Sequence, residues 1–451
     1  MTERRPLPRQ LRYSRRRFLR RGAFAASVRM SGLLCVFALQ VLLARLIADA
    51  AQYGQYAWGQ SLLFLAGNLA CIGLPLVTAR FIASLDAHHN PTGAAAVIAE
   101  SHRLLRRSTG ALLVVAALLW LFSRGGSEGG FFGSAAVIAL VFAPAVTFAM
   151  LYRDMSRARQ WLGLAMLPVQ VLRPIVTALL AALSWWLLDG ELSGSLTLAL
   201  VGTSTLLVLL PQAWIYRIRQ RRLVDDSPAP VPPEYTPSRL LATAVPVFIT
   251  RCASLVITYG NVLLVGFLAG PAMAGAFFAA ERLAQLASIP KAVVSMVNQQ
   301  SMAAAHATDN VGDLQLLATQ SAHGSLWPTL AASLGLIIFA EPLLRLFGDD
   351  FAAASGVLII LVASGIIHVF AGPAQDILVM TGRQGRIPRI MIIAAICHIV
   401  VLLLLVPILG AVGAAVASVC SSVVSQVWLM LLASREAGVA TTVLASLRNR
   451  R

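Results

Sequence analysis

The chain has 451 residues, of which 58% are hydrophobic and only 12% charged. Soluble domains carry about 25% charged residues, so a water-soluble globule is excluded and the hydrocarbon of a bilayer is the natural solvent. The net charge of +17 invites nucleic acid, but the arginines stand between apolar runs. There they orient a membrane protein and meet anionic lipid, so an anionic membrane lipid is an expected partner and nucleic acid is not.

Residues 1–22 hold nine arginines and no long apolar run. Ser14-Arg15-Arg16-Arg17-Phe18-Leu19-Arg20 has the look of a twin-arginine export signal. The apolar run that follows is cut by Arg29 after seven residues, and no small-residue cleavage site is evident. The segment therefore reads as a basic cytoplasmic anchor. Twelve apolar runs follow, at 23–48, 54–84, 104–123, 131–152, 162–188, 195–216, 241–268, 272–297, 323–340, 354–380, 389–406 and 410–433. Each approaches the roughly 20 residues that cross a bilayer as helix. With the N-terminus inside, the cytoplasmic segments and their flanking turns hold 27 Arg, the opposite loops two (Arg124 and Arg345) and the spans seven basic residues, which accounts for all 36. This is the positive-inside pattern. It predicts an all-α polytopic membrane protein with both termini cytoplasmic.

The one long connection, 217–240, carries Arg217, Arg219, Arg221 and Arg222, then Asp225-Asp226, then Pro228, Pro230, Pro232 and Pro233. Proline stiffens such a linker. It divides the chain into a basic segment 1–22, an N-lobe 23–216 of six spans, the linker 217–240, a C-lobe 241–433 of six spans and a basic tail 434–451. Six is even, so the halves share one orientation, as parallel repeats do. An internal echo agrees. Val41-Leu42-Leu43, Ala48, Ala51 and Gly54 recur 221 residues later as Val262-Leu263-Leu264, Ala269, Ala272 and Gly275. Gln40 is matched by Asn261, and Arg29 by Arg251 with a slip of one residue. The expected architecture is two six-helix lobes around a central cavity.

No phosphate-binding glycine loop, HExxH or Gly-x-Ser-x-Gly is present. The five cysteines lie in apolar runs without CxxC spacing. No enzyme activity, cofactor or metal site is expected. The informative residues are ions inside the spans, which by default face a bundle interior or water. Arg80 and Lys291 lie near span ends and can snorkel to the headgroups. Arg45 and Asp49 have the spacing of a helical ion pair. Arg173 is deep in span five beside Pro174, which should kink the helix. Arg251, Ser254, Thr258 and Asn261 fall along one helical face. Glu281, Gln285 and Ser288 make a second stripe, with Arg282 beside it. Glu281 reads either as the cation site of an antiporter or as the partner of Arg251 or Arg282. Against the seven basic residues stand two clear carboxylates, Glu281 and Asp376, with His368 and His398 deeper. An excess of buried arginine suits a phosphate or pyrophosphate. Arg29, Arg251, Arg282, Arg173 and Asn261 are the expected substrate-facing residues, and Glu281 the coupling candidate.

Three loose patterns then carry a family resemblance. They are Val41-Leu42-Leu43-Ala44-Arg45-Leu46-Ile47 with Tyr53-Gly54-Gln55-Tyr56-Ala57 and Gly73-Leu74; Glu341 through Phe351; and Val406-Pro407-Ile408-Leu409-Gly410-Ala411-Val412-Gly413-Ala414-Ala415. In this order, on twelve spans, the chain resembles bacterial oligosaccharide flippases of the multidrug/oligosaccharidyl-lipid/polysaccharide (MOP) exporter superfamily. The resemblance implies a V-shaped pair of lobes with spans 1, 2, 7 and 8 lining the cavity. It implies transfer of undecaprenyl-diphosphate-linked oligosaccharide across the bacterial inner membrane by alternating access, for O-antigen, capsule or exopolysaccharide assembly. Polysaccharide polymerase and glycosyltransferases are the further partners such a role implies. The alternatives are a cation-coupled multidrug antiporter of the same superfamily and a non-transporting scaffold for polysaccharide enzymes.

Overall fold

A computed structural model describes residues 9–47, 49–125, 133–223, 237–307 and 311–442. Among them there is no β-strand, only one isolated bridge between Ile47 and Leu192. The proline run of the linker lies outside the described residues. The basic N-terminal segment runs from Arg9 into the first helix without a break, α1 (Arg9–Leu46). The first half continues with α2 (Ala50–Ala70), α3 (Leu74–Ala87), α4 (Pro91–Gly125), α5 (Gly133–Ala158), α6 (Leu162–Leu167), α7 (Arg173–Leu187) and α8 (Gly194–Arg221). The second half holds α9 (Pro237–Ala269), α10 (Pro271–Leu286), α11 (Ile289–Ala307), α12 (Val311–Ile338), α13 (Ala340–Arg345), α14 (Ser355–Phe370), α15 (Ala374–Met380), α16 (Ile387–Leu409) and α17 (Ala411–Ala437).

Nine described helices are long and apolar enough to cross a membrane, or ten when the bent pair α2–α3 counts as one span. The apolar runs of spans eight and nine fall on α10–α11 and α12, which are helical but do not meet that measure. Three runs expected as continuous helices are broken: α2–α3 at Cys71–Gly73, α10–α11 at Ala287–Ser288, and α14–α15 at Ala371–Pro373. The first break bends the span by 46°. Gly73 sits there at φ +73°, and a Cβ on it would lie 2.5 Å from the Ala244 carbonyl oxygen of α9. Glycine therefore serves both the left-handed turn and the close approach.

Helices α1–α8 pack mainly on one another, with α5 touching α2, α3, α4 and α8. Helices α9–α17 do the same around α16, α17 and α14. The halves meet along α2 against α9 and α10. The internal echo appears here as geometry. A Cβ on Gly54 would strike the Pro271 carbonyl oxygen at 1.8 Å, and a Cβ on Gly275 would lie 3.1 Å from the Ala50 carbonyl oxygen and 3.0 Å from the Gly54 nitrogen. Ala50 and Pro271, like Gly54 and Gly275, are 221 positions apart. Such a reciprocal contact, in which i meets j′ and i′ meets j, is what a two-fold axis produces.

Around this contact lies an aromatic core. Tyr53, Tyr56, Phe278, Phe347 and Phe351 are fully or almost fully buried. Tyr53 meets the Phe351 ring edge-on at 5.3 Å between centroids, and Phe37 meets Phe347 at 6.0 Å. Trp58 donates from Nε1 to the Leu263 carbonyl at 3.1 Å. Arg45 donates to the carbonyls of Arg345 and Leu346. The expected pair of Arg45 with Asp49 is not formed, because α1 ends at Leu46 and the i+4 spacing loses its helical meaning. Asp49 instead caps α2, its Oδ1 accepting from Gln52 N at 2.6 Å. All these contacts lie at the end of the bundle remote from the basic loops, where they seal the two halves together.

Candidate functional site: an arginine-lined cleft

Below the seal the polar residues gather around Tyr259. Its ring stacks on Phe64 of α2 with centroids 6.4 Å apart and planes 22° from parallel. Arg173, Arg251 and Arg282 all act electrostatically on its hydroxyl, as does Glu281. Three helices, α7 of the first half and α9 and α10 of the second, thus bring charge into the neighbourhood of this aromatic pair: α7 brings Arg173, α9 brings Arg251 and Tyr259, and α10 brings Arg282 and Glu281.

Arg173 owes its position to a π-helical turn, Pro168–Leu172, between α6 and α7. The Arg173 N–H reaches back five residues to the Pro168 carbonyl. The expectation that Pro174 breaks or kinks the helix is corrected as to the break: the helix runs on from the π-turn into α7. The widened turn absorbs the missing hydrogen bond and the ring clash at residue i−4. The Gln170 backbone bulges against α1 at Gly32, where a Cβ would come within 3.0 Å of the Gln170 carbonyl oxygen. Arg173 then lies 4.9 Å from the Phe64 ring centroid. A ring face is a partner for a cation that leaves its N–H donors available.

Arg282 sits 4.2 Å over the Phe278 ring and donates from Nη1 to Gln285 Oε1 at 2.9 Å. Its Nε is buried without a hydrogen-bond partner among the described residues. Glu281, the neighbouring residue, makes no hydrogen bond or ion pair among the described residues, with Arg282 or with Arg251. Consecutive helical residues point about 100° apart, so Arg282 acts on Glu281 through its charge and not through a direct contact.

Arg251 crosses between the halves, donating from Nη2 to Asn68 Oδ1 at 3.3 Å. Asn68 is buried and is itself fixed by donation from Nδ2 to the Phe64 carbonyl at 2.7 Å. Arg251 borders a cavity of about 200 Å³ whose far wall is α5, with Arg153, Asp154 and Arg157. Arg153 is shared with a smaller cavity of about 40 Å³ that reaches Arg173 and Phe64. Arg157, Arg153 and Arg251 thus line the larger cavity and Arg153 and Arg173 the smaller, with Arg282 on Phe278 nearer the aromatic seal; Asp154 pairs with Arg153 at 2.9 Å and approaches Arg157 at 3.9 Å.

Asn261 and Arg29 stand apart from this series. Asn261 is buried and donates from Nδ2 to Ser418 Oγ of α17 at 3.0 Å. Ten residues at about 100° each turn it roughly 80° away from Arg251, so the expected polar stripe divides. Thr258 stays exposed, and Asn261 is buried against α17 in its own half. Arg29 is exposed on α1, short of the seal. Lys291, expected to snorkel, instead donates from Nζ to the His368 carbonyl at 2.8 Å inside the second half. Arg153, Arg157 and Asn68 are cleft residues that the sequence reading did not select. The two arginines count there as loop anchors, and an asparagine among apolar neighbours carries no signal without its partner.

The fold is similar to those of solved membrane transporters. The inward-facing structure of a multidrug resistance MATE family transporter of the MOP superfamily is similar, with 17% identity, 92% of this chain and 98% of that chain covered, and a TM-score of 0.74. The outward-facing structure of such a transporter gives 16% identity, 93% and 95% coverage, and a TM-score of 0.62. A MOP superfamily transporter from Pyrococcus furiosus, described by a binding pocket of reversed polarity, gives 16% identity, 93% and 95% coverage, and 0.64. The fold is thus that of the MOP superfamily transporters. The model of the polysaccharide biosynthesis protein family matches residues 19–300, and the chain belongs to that family. No curated protein matches the sequence significantly.

Proposed function

We propose that the protein moves a polyprenyl-diphosphate-linked oligosaccharide, built on undecaprenyl diphosphate, from the cytoplasmic to the periplasmic leaflet of the bacterial inner membrane. The product would feed O-antigen, capsule or exopolysaccharide assembly, with glycosyltransferases upstream and a polymerase downstream. The observation that carries this reading is the arginine series. Four guanidinium groups line the two cavities and Arg282 lies on Phe278 beyond them, against the carboxylates of Glu281 and of Asp154, which is paired with Arg153. Such an excess of cation suits an anionic cargo, and guanidinium forks match phosphate oxygens. In the orientation set by the loop charges, the cleft opens to the cytoplasm and the aromatic seal faces the periplasm. The diphosphate enters past Arg29, Arg157 and Arg153, and is held by Arg251 and Arg173 with Arg282 beneath. The sugars occupy the cleft and the lipid tail stays in the bilayer.

Deletion of the gene tests this reading. The expected result is loss of surface polysaccharide with accumulation of lipid-linked repeat units on the cytoplasmic side. Normal display in a strain without paralogues refutes it. A second reading is a cation-coupled multidrug antiporter, favoured by Glu281, which has no hydrogen bond or ion pair among the described residues. It requires that overexpression confers drug resistance and that Glu281→Gln abolishes it.

A further inference from the structure

The α5 helix has two polar sides at the cytoplasmic end. Arg153 and Asp154 face the cleft, while the adjacent Tyr152 and Phe148 line a separate groove between α4 and α8. The groove has a volume of about 540 Å³. Its polar groups are His102 and Arg106 from α4, Tyr152 from α5, and Tyr216, Arg217 and Gln220 from α8. The rest of its wall is apolar, with Phe148, Leu209, Leu210 and Ala213 deeper along α5 and α8 and Ala95, Ile98 and Ala99 on α4. Arg106, Tyr152 and Arg217 all lie within three residues of the ends of their apolar runs, which places the groove at the membrane boundary.

The polar cluster is built rather than a chance meeting of surface arginines. His102 is fixed on both ring nitrogens, Nδ1 with the Ile98 carbonyl at 2.8 Å and Nε2 with the Tyr152 hydroxyl at 3.1 Å, and its ring stacks on Phe148. Arg106 donates from Nε to the His102 carbonyl at 3.3 Å, which leaves its two terminal nitrogens for a ligand. Arg106 and Arg217, on different helices, both act electrostatically on the His102 ring. No carboxylate lines the groove. Beside the apolar wall, Leu210 is 64% and Trp214 65% exposed, so this side faces lipid. Tryptophan at this depth is typical of the interfacial belt.

We propose that this groove is a binding site for one anionic phospholipid of the cytoplasmic leaflet. The phosphodiester lies between Arg106 and Arg217, and an acyl chain descends along Phe148, Leu209 and Leu210. Basic pockets between membrane helices on the cytoplasmic side recognise anionic headgroups in this way. The charge of the groove selects an anionic over a zwitterionic lipid, and the continuity with the apolar wall selects a lipid over free phosphate. Because Arg217 opens the connection between the halves, a lipid held there braces α4, α5 and α8 where that connection leaves the N-terminal half. The site is independent of the cargo and stands or falls without the flippase reading.

The test is the thermal stability of the purified full-length protein in detergent, titrated with phosphatidylglycerol, phosphatidylcholine or inorganic phosphate. Phosphatidylglycerol should raise the midpoint in a saturable way, and the other two should not. Arg106→Gln and Arg217→Gln should each weaken the apparent affinity about fivefold. Arg103→Gln and Arg107→Gln, on α4 but off the groove, should leave it unchanged, as should Arg251→Gln in the cleft. Equal stabilisation by all three additives, an effect retained in the Arg106→Gln/Arg217→Gln double variant, or an effect lost with Arg251→Gln overturns the proposal. Should the double variant not fold, the single variants against the Arg103→Gln and Arg107→Gln controls decide the matter.

Discussion

At the scale of single residues, three of the cleft's arginines are accommodated without a hydrogen-bonded carboxylate, whereas Arg153 is paired with Asp154. Arg173 lies on Phe64, Arg282 on Phe278, and Arg251 against Asn68. Each partner is neutral, so each charge stays uncancelled and available to a ligand. A full ion pair would neutralise it. This distinguishes them from Arg159, which is almost fully buried, paired with Asp86 and Gln220 and laid against Trp161 and Tyr216, and therefore structural. Arg251→Ala should lower glycan export at least tenfold, since a charge-assisted hydrogen bond is worth about 1.5–3 kcal/mol. Arg251→Lys should recover only part, because a point charge does not reproduce the fork. The readout is surface polysaccharide per cell against lipid-linked intermediate, at matched protein levels. Arg80→Ala, at an exposed site outside the series, should leave export unchanged.

At the scale of elements, the sequence made the helices legible but not their breaks. Apolar runs mark where a span must lie, because backbone in hydrocarbon has to satisfy itself as helix. They do not mark the turn at Cys71–Gly73, which depends on α9 pressing Ala244 against Gly73, a contact between residues 171 positions apart. Nor do they mark the π-turn at Pro168–Leu172. Pro174 signals trouble there, but the remedy depends on α1 accepting the bulge at Gly32. The site was legible to the same degree. Arg173, Arg251 and Arg282 stand out as charges in apolar runs, whereas Arg153 and Arg157 at a span end look like any loop anchor until α9 is seen opposite them. The glycine pair allows a sharp test of element packing. Gly54→Ala places a Cβ against the Pro271 backbone, which has no flexible side chain to give way. Overpacking of this kind costs about 1–3 kcal/mol, so the variant should unfold several degrees lower in a thermal scan. Gly110→Ala, where a Cβ meets nothing within 4 Å, should not.

At the scale of the whole molecule, the reciprocal contact of Gly54 with Pro271 and Gly275 with Ala50 places the repeat axis inside the seal itself. Transport by alternating access requires this seal to part while the basic end closes. The contacts that must be exchanged are then identifiable: the tyrosine and phenylalanine core, Trp58 on the Leu263 carbonyl, and Arg45 on the carbonyls of Arg345 and Leu346. The last is the simplest to remove, because Arg45 is exposed and its loss leaves no cavity. Both of its bonds cross between the halves, and they exist only while the seal is shut. Discounted for exposure to solvent, together they favour the sealed state by about 1 kcal/mol. Arg45→Ala should therefore raise the population open at this end about fivefold. Spin labels at Ser195 and Asp350, on the two halves at the sealed end, report it as growth of a longer distance component. An unchanged distance distribution would show that the aromatic core alone holds the seal, and that Arg45 fastens the turn after α13 without taking part in the transition.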